Sequence, residues 1–359
     1  MKIKNILSVL TAAALSLSLL AACGNSGDKN TPATVKSDDG KELQVLRVAN
    51  MTGQPDQYAD YIGTEQGIFE KYGISLETSE FVAGINTVDA IVNGTADTGL
   101  LADFAAVNRF GNTLADTNLV ICSDLSTGAE QKSDSELTDD GGIYVAPQYA
   151  DDISALDGSE GWITNIGTVS EYYNWQAQTY LGLDPSKQKI VQTDSVSTQL
   201  AVVHNSEASA AVVTGSLSDK YKEEGWVKIA STDEIGINIS AYLITTREFA
   251  ENNTDLLADY FKALDESVKY INENLDDSAK KISEKFGIEE EDFKLNWSQY
   301  SIKYGLSEEG AAHLDEINNW AFENGKYPEA YNIRQFYYTK AVEKAFPDNV
   351  TVDLSSVEK

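Results

Sequence analysis

The chain has 359 residues, 27 Lys plus Arg against 57 Asp plus Glu for a formal net charge of −30, and only two cysteines and two histidines. That length exceeds what one hydrophobic core holds, so two lobes are expected, and branched and aromatic residues are too plentiful for disorder. The negative field opposes binding to nucleic acid or anionic lipid headgroups, and Cys23, Cys122, His204 and His313 form no cluster for zinc or iron–sulfur, so no metal site and no cofactor are expected.

In chain order, Lys2 and Lys4 precede an apolar run from Ile6 to Leu20. It is short for a membrane span and suits the core of a signal peptide, over residues 1–22. The run ends in Leu20-Ala21-Ala22-Cys23, which resembles the lipobox of bacterial lipoproteins. The resemblance implies lipidation at Cys23 and membrane attachment through an N-terminal lipid. Residues 24–41 are Gly, Ser, Asn, Thr, Asp and Lys-rich and read as a flexible tether with a mean reach of about 20–25 Å, so residues 23–42 link the anchor to the body.

Leu43 to Met51 reads as a first parallel strand. Its exit, from Thr52 to Tyr58, is a Gly/Pro loop that places Gln54 and Tyr58 as candidate ligand contacts. A helix is expected from about Gln57 to Tyr72, stopped by Gly73, and Ile74 to Phe81 alternates like a strand. Gly84 to Ala105 then forms one helix–turn–strand unit. Val88, Ile91 and Val92 repeat at helical spacing, Asn93-Gly94 ends the helix, and Thr98 to Ala102 is a short buried strand. Asp103 and Phe104 stand at the strand exit, where open α/β sheets present ligand-binding groups.

The run Gly67-Ile68-Phe69-Glu70-Lys71-Tyr72-Gly73-Ile74 with Leu76-Glu77, followed by Asn93-Gly94-Thr95-Ala96-Asp97-Thr98-Gly99, resembles the periplasmic-binding-protein family that serves ABC importers of nitrate, sulfonates, taurine and thiamine precursors. The resemblance extends with gaps from about Leu46 to the late 240s. It implies an α/β, two-lobed type II binding-protein fold with two crossovers, lobe one made of residues 43–142 and 242–359 and lobe two of residues 143–241. It also implies a monomer that captures a small-molecule solute and delivers it to the permease and ATPase subunits of an ABC importer.

Gly141 to Ala146 is the strand that would cross into lobe two, after the acidic loop Glu136 to Asp140. Ala155-Leu156-Asp157-Gly158 resembles the family's entrance to that lobe. Trp162 to Ile166 is a further strand, and Gly167-Thr168-Val169-Ser170-Glu171 leads into a helix. Its hydroxyls and free backbone N–H groups make an anion site or only a cap. Thr168 and Ser170 are the candidates. Glu171 either complements the helix dipole or meets an amine-bearing or nitrogen-heterocyclic ligand. Tyr172, Tyr173 and Trp175 either stack on that ligand or face the core. Ser197 to Gly215 repeats the helix–turn–strand design, with Thr214 at its strand exit. Ile237 to Thr245 returns the chain to lobe one and carries Tyr242.

From Phe249 the pattern is helical. Leu257, Tyr260, Phe261, Leu264, Val268 and Ile271 form one apolar stripe, with further helices at Ser278–Phe286, Ser307–Asn324 and Tyr331–Ala345. Glu289 to Asp292 reads as a solvated face or helix start, and the tail is expected to pack on lobe one. Cys122 lies in an apolar run and reads as a buried strand residue.

These readings describe an extracytoplasmic solute-binding protein, lipid-anchored at a bacterial cell membrane, and not an enzyme. Its expected ligand is an amine-bearing, taurine-like sulfonate or a nitrogen heterocycle. A thiamine-pyrimidine precursor, a simple alkanesulfonate or nitrate are the alternatives. An enzyme resembling the family's thiamine-pyrimidine synthase is remote, because this chain lacks that enzyme's Cys-rich site. An adhesive surface lipoprotein has only the anchor in its favour.

Overall fold

The computed structural model describes residues 31–82, 84–114, 118–126, 141–215, 217–237, 240–298 and 300–357. The signal segment 1–22, Cys23, residues 24–30 of the tether, the acidic loop 136–140, Ser216 and residues 238–239 of the return run lie outside them. No helix among the described residues is long and apolar enough to cross a membrane.

The chain opens with β1 (Thr34–Lys36), β2 (Glu42–Met51), α1 (Pro55–Glu65), α2 (Ile68–Lys71), β3 (Ile74–Phe81), α3 (Gly84–Val92), β4 (Thr98–Ala102), α4 (Asp103–Asn112) and β5 (Leu119–Ser126). A middle segment holds β6 (Gly142–Val145), β7 (Trp162–Thr164), α5 (Ser170–Tyr180), β8 (Ile190–Gln192), α6 (Val196–His204), β9 (Ala210–Val213), α7 (Leu217–Glu223), β10 (Val227–Ser231) and α8 (Thr232–Ile235). The remainder is β11 (Ala241–Thr246), α9 (Arg247–Asn252), α10 (Thr254–Glu273), α11 (Leu275–Phe286), α12 (Glu290–Ser298), β12 (Ile302–Gly305), α13 (Glu308–Glu323) and α14 (Lys340–Ala345).

These strands build two sheets. The first runs β1-β2-β4-β11-β5-β12, with β3 also paired to β2, and the second runs β10-β6-β9-β7-β8. The chain passes between them twice, after β5 and after β10. β2 is parallel to β3 and β4, whereas the returning β11 is antiparallel to both β4 and β5. Every residue of β5 is buried, because β11 and β12 flank it in the sheet. Cys122 lies there with no exposure, its thiol against the Leu243 carbonyl at 3.1 Å.

Period-2 alternation divides the second sheet between two apolar clusters. Ile143 and Val145 of β6 face the large core that also holds residues of the first sheet, while Tyr144 packs with Val203, Val213, Tyr221 and Trp226 on the other face. The stripe on α10 is buried along its length, from Leu257 to Ile271. Both helix–turn–strand units form as read, with Gly94 left-handed at φ +73° after α3. At the base of the first sheet, Arg47 Nε donates to Asp97 at 3.1 Å and Arg47 Nη1 to the Gly94 carbonyl at 2.6 Å, fixing that turn to β2.

Several expectations need correction. The helix expected over Gln57 to Tyr72 is two helices, because Gly67 takes φ +68° and breaks the hydrogen-bond ladder there. The strand expected over Trp162 to Ile166 ends at Thr164. Tyr331 to Ala345 is not one helix. The Asn332 side chain accepts from Arg334 N at 3.0 Å and starts a 3-10 turn at Ile333–Phe336, and Tyr338 N then donates to the Ile121 carbonyl at 2.9 Å. The acidic run, by contrast, is a helix start as read, because 290–292 is the first turn of α12, where carboxylates complement the helix dipole. β12, which the sequence reading missed, adds a tail strand to the first sheet.

Close backbone approach in the first sheet gives a direct test. A Cβ on Gly99 of β4 would meet the Ala49 carbonyl oxygen of β2 at 2.5 Å. Gly99→Ala should therefore destabilise the protein by about 2–3 kcal/mol, since backbone and not a flexible side chain must move. Urea unfolding should show a lower midpoint with an unchanged slope, and an unchanged midpoint would contradict this packing.

Candidate functional site

Where the two sheets meet, side chains from both converge with residues of the C-terminal tail. The first sheet contributes the β2 exit. Gln54 is the N-cap residue of α1, with no side-chain cap bond, and its Oε1 accepts from the Tyr300 hydroxyl at 3.4 Å. Tyr58 turns away under the tail, edge-on to Phe293 at 5.1 Å and Phe286 at 5.8 Å. It lines a cavity of about 330 Å³ with Thr52, Gly53, Gln57 and the tail residues Lys285 and Phe286.

Asp103 stands at the β4 exit as expected, 1% exposed, with its carboxylate fully engaged. Oδ1 accepts from Phe104 N at 2.6 Å, and Oδ2 accepts from Ser240 N at 3.2 Å and meets His313 Nε2 at 2.9 Å. Phe104 is buried against Trp320, ring centres 5.9 Å apart. Tyr242 has no exposure, and its hydroxyl donates to the Gly310 carbonyl at 3.1 Å. It supports the sheet and the start of α13, and does not face the junction as a contact residue.

The second sheet contributes the N-terminus of α5. The free N–H groups and hydroxyls expected there are engaged within the turn. Ser170 Oγ accepts from Asn165 N at 2.7 Å, Thr168 Oγ1 donates to the Asn165 carbonyl at 2.7 Å, and Gly167 N donates to Glu171 Oε1 at 2.6 Å. Val169 is the N-cap residue and provides no side-chain cap. The other Glu171 oxygen pairs with Lys326 of the tail. Thr214 is half-buried at the β9 exit; beside it Gly215 is left-handed at φ +63°, and a Cβ there would come within 3.5 Å of Asn296 Oδ1.

Trp175 belongs to an aromatic cluster that spans the junction. It stacks on Tyr172 at 5.9 Å and tilts against Trp320 of α13 at 6.2 Å, while Tyr172 meets Trp320 edge-on at 5.2 Å. The Tyr172 hydroxyl donates to Glu316 at 2.9 Å, and Lys326 Nζ lies 5.7 Å from the centre of the Trp320 ring. α5 is thus joined to α13 and its following turn by an ion pair, a charge-assisted hydrogen bond and three rings.

Tyr173, next to Tyr172 on α5, is 6% exposed, and its hydroxyl has no hydrogen-bond partner among the described residues. Burial raises its pKa well above the ordinary phenol value, with Asp103, Tyr300 and Tyr172 adding to the effect, so it stays a neutral donor. Trp320 Nε1 is a second buried donor without a partner. Two orphaned donors at the sheet junction suit a ligand rich in acceptor oxygens.

Sequence reasoning missed Tyr300, His313, Glu316, Trp320 and Lys326. An aromatic or a Lys inside an amphipathic tail gives no local sign of a partner far away in the chain. The five Trp residues and the amphipathic periodicity of 307–324 were the only available pointers.

No protein-family model matches the chain, and no curated protein matches it in sequence. Solved structures do match. The periplasmic aliphatic sulphonate binding protein SsuA from Escherichia coli superposes with TM-score 0.68 at 16% identity, covering 81% of this chain and 96% of that one. The alkanesulfonate-binding protein SsuA from Xanthomonas axonopodis pv. citri, bound to MOPS, gives 0.63 at 12% identity over 82% and 98%. The periplasmic nitrate-binding protein NrtA from Synechocystis PCC 6803 gives 0.61 at 14% over 84% and 88%. At these identities the likeness is one of fold, and sulfonate- and nitrate-binding proteins are among its bearers.

The junction contacts lead to a measurable expectation. Lys326→Ala removes the ion pair to Glu171 and the cation over Trp320, for a loss of about 1–2 kcal/mol in a partly buried setting. Tryptophan emission should shift to longer wavelength and become more accessible to a soluble quencher as α5 separates from α13. Unchanged emission and quenching would mean that the rings alone hold the junction.

Proposed function

Given the periplasmic-binding-protein fold, we propose that this chain is the extracytoplasmic solute receptor of an ABC importer, closing two lobes over a small organic molecule and presenting the closed form to a permease. In this reading residues 43–142 with 242–359 form lobe one and residues 143–241 form lobe two. Cys23 carries the lipid that holds the body near the membrane. The two crossings of the chain supply the hinge. The observation that carries the reading is two buried, unpartnered donors on the elements that meet at the junction, the Tyr173 hydroxyl on α5 and Trp320 Nε1 on α13.

The ligand that fits best is an amine-bearing sulfonate. Its sulfonate oxygens would accept from Tyr173 and Trp320. Its ammonium would exchange with Lys326 beside Glu171, in the aromatic surroundings of Tyr172 and Trp175. A nitrogen heterocycle would use the same rings and Glu171. A second reading, a simple alkanesulfonate or nitrate, is favoured by one contact: Glu171 already holds Lys326, and an anion without an amine leaves that pair intact.

A thermal-shift series with taurine, an alkanesulfonate, nitrate and a thiamine pyrimidine tests both. A ligand at a hundred times its dissociation constant should stabilise the protein by about 2.7 kcal/mol. Tyr173→Phe should weaken a sulfonate by roughly 10–150-fold, the loss of one hydrogen bond to a charged group. Glu171→Gln should weaken taurine and spare the simple sulfonate if the amine reading holds. Equal effects on both ligands favour the simple anion, and no shift from any of the four rejects the solute class.

A further inference from the structure

Beneath α1 lies a group of oxygen atoms that the sheet junction does not use. Asp56 and Asp60 stand one helical turn apart on α1, so their carboxylates share a face, and they are 0% and 1% exposed. The Tyr260 hydroxyl of α10 donates to Asp60, 3.2 and 3.4 Å from its two oxygens, and the Asn50 amide at the end of β2 also bonds Asp60. Backbone N–H groups of Gln57, Asp56 and Met51 face the Asp56 carboxylate, but neither of its oxygens makes a well-formed hydrogen bond. Asn50 Oδ1, on a residue 2% exposed, is likewise without a partner. So is the hydroxyl of Tyr304, on β12, also 2% exposed and close enough to feel both carboxylates.

The charged and titratable groups acting on this cluster are acidic or phenolic. They are Asp56, Asp60 and Tyr58 of α1, Tyr260 and Asp265 of α10, Tyr300, and Tyr304 of β12. No Lys, Arg or His is among the groups that shift either carboxylate. In their ionised form two desolvated carboxylates without a compensating cation are unfavourable, so without an ion burial favours their protonated state, and the amide oxygen is left unbonded beside them. Once ionised, the cluster lacks positive charge.

We propose that Asn50, Asp56, Asp60 and Tyr304 form a buried site for a divalent, oxygen-seeking cation of the calcium class. Two carboxylates balance its charge, and the amide and phenol oxygens are neutral ligands of the same hard character. The absence of thiolate and imidazole separates the site from zinc chemistry. The ligands come from β2, α1 and β12, so an ion there would tie the β2–α1 loop to the tail. Gln54 ends that loop two residues before Asp56 of α1, and Tyr300 lies four residues before Tyr304, so the ion would also brace the Gln54–Tyr300 contact. The site stands independently of the solute assignment.

Without the ion the cluster should behave in a defined way with pH. Burial raises the Asp56 pKa to about 7 and holds that of Asp60 well above the usual carboxylate range. A folded-state value above the unfolded one gives stability that is complete at low pH and lost as pH rises through about 7. Calcium, which binds the deprotonated pair, should reverse that loss.

The test uses the purified full-length chain with terbium as the luminescent probe and calcium as competitor. Tyrosine-sensitised terbium emission from the wild type should saturate and be displaced by calcium, because Tyr260 and Tyr304 border the site. Asp56→Asn and Asp60→Asn should each weaken that emission at least tenfold in apparent affinity. In chelator-treated protein, Asp56→Asn should raise the melting temperature above pH 7, which also shows that the variant folds. Calcium should raise the wild-type melting temperature at pH 8 and leave Asp56→Asn unmoved. Equal terbium emission from wild type and variants would place the ions on the acidic surface and overturn the site. A wild-type melting temperature at pH 8 that calcium does not raise would likewise overturn it.

Discussion

The candidate site depends on one buried carboxylate. Asp103 opens α4, and its oxygens reach the Phe104 N–H, the Ser240 N–H just before β11 and His313 of α13. A single side chain thereby fixes a strand exit, the point where the chain returns from the second sheet, and the tail helix 210 residues further on. A carboxylate removed from water needs several hydrogen bonds to be tolerable, and once it has them each partner is held in place. Trp320, two helical turns beyond His313 on α13, is set against Phe104 by the same docking.

The tail is consequently more than cover for the first sheet. It lays α10 and α14 along the sheet and adds β12 to its edge, and then turns α13 toward α5. From there Glu316, Trp320 and Lys326 meet Tyr172, Trp175 and Glu171. The contact is mixed in character. Rings exclude water from the centre, while the ion pair and the Tyr172–Glu316 bond sit at a more solvated margin, where charge is cheaper to place. The contacts that cross it are an ion pair, one charge-assisted hydrogen bond and three rings, and none of them belongs to either sheet's strand ladder.

How much of this was readable in advance depends on the range of the contact concerned. The two helix–turn–strand units were legible because their signals are local: helical spacing in Val88, Ile91 and Val92, a glycine after it, then a charge-free run. Asp103 and Phe104 were legible as a strand exit for the same reason. Glu171 was not. Its neighbours allowed a dipole partner or a ligand group, and its actual partner, Lys326, is 155 residues away and visible only in three dimensions. Thr168 and Ser170 were readable as an anion site or only as a cap, and in the structure their hydroxyls bond within the turn, to Asn165. Tyr331 to Ala345 has apolar spacing compatible with a helix, and Asn332 diverts it into a tighter turn so that Tyr338 can reach the edge of β5. Tertiary demand overrides local preference where a segment must complete a sheet.

The position of β11 between β4 and β5 has a consequence for the order of assembly. β4 and β5 are not paired with each other, so the centre of the first sheet stays open until β11 arrives. Thr98 Oγ1 waits for the Ile244 carbonyl 146 residues later, and Thr245 Oγ1 closes on Asp97 from the other side. Were β2, β3 and β4 to pair before β11 is available, β4 would present an unpaired edge. Contacts of such sequence separation make acquisition of structure slow and leave that edge vulnerable to pairing with other chains. A chain of this design gains from being kept extended until its last third is available, after which the first sheet and the junction can form together.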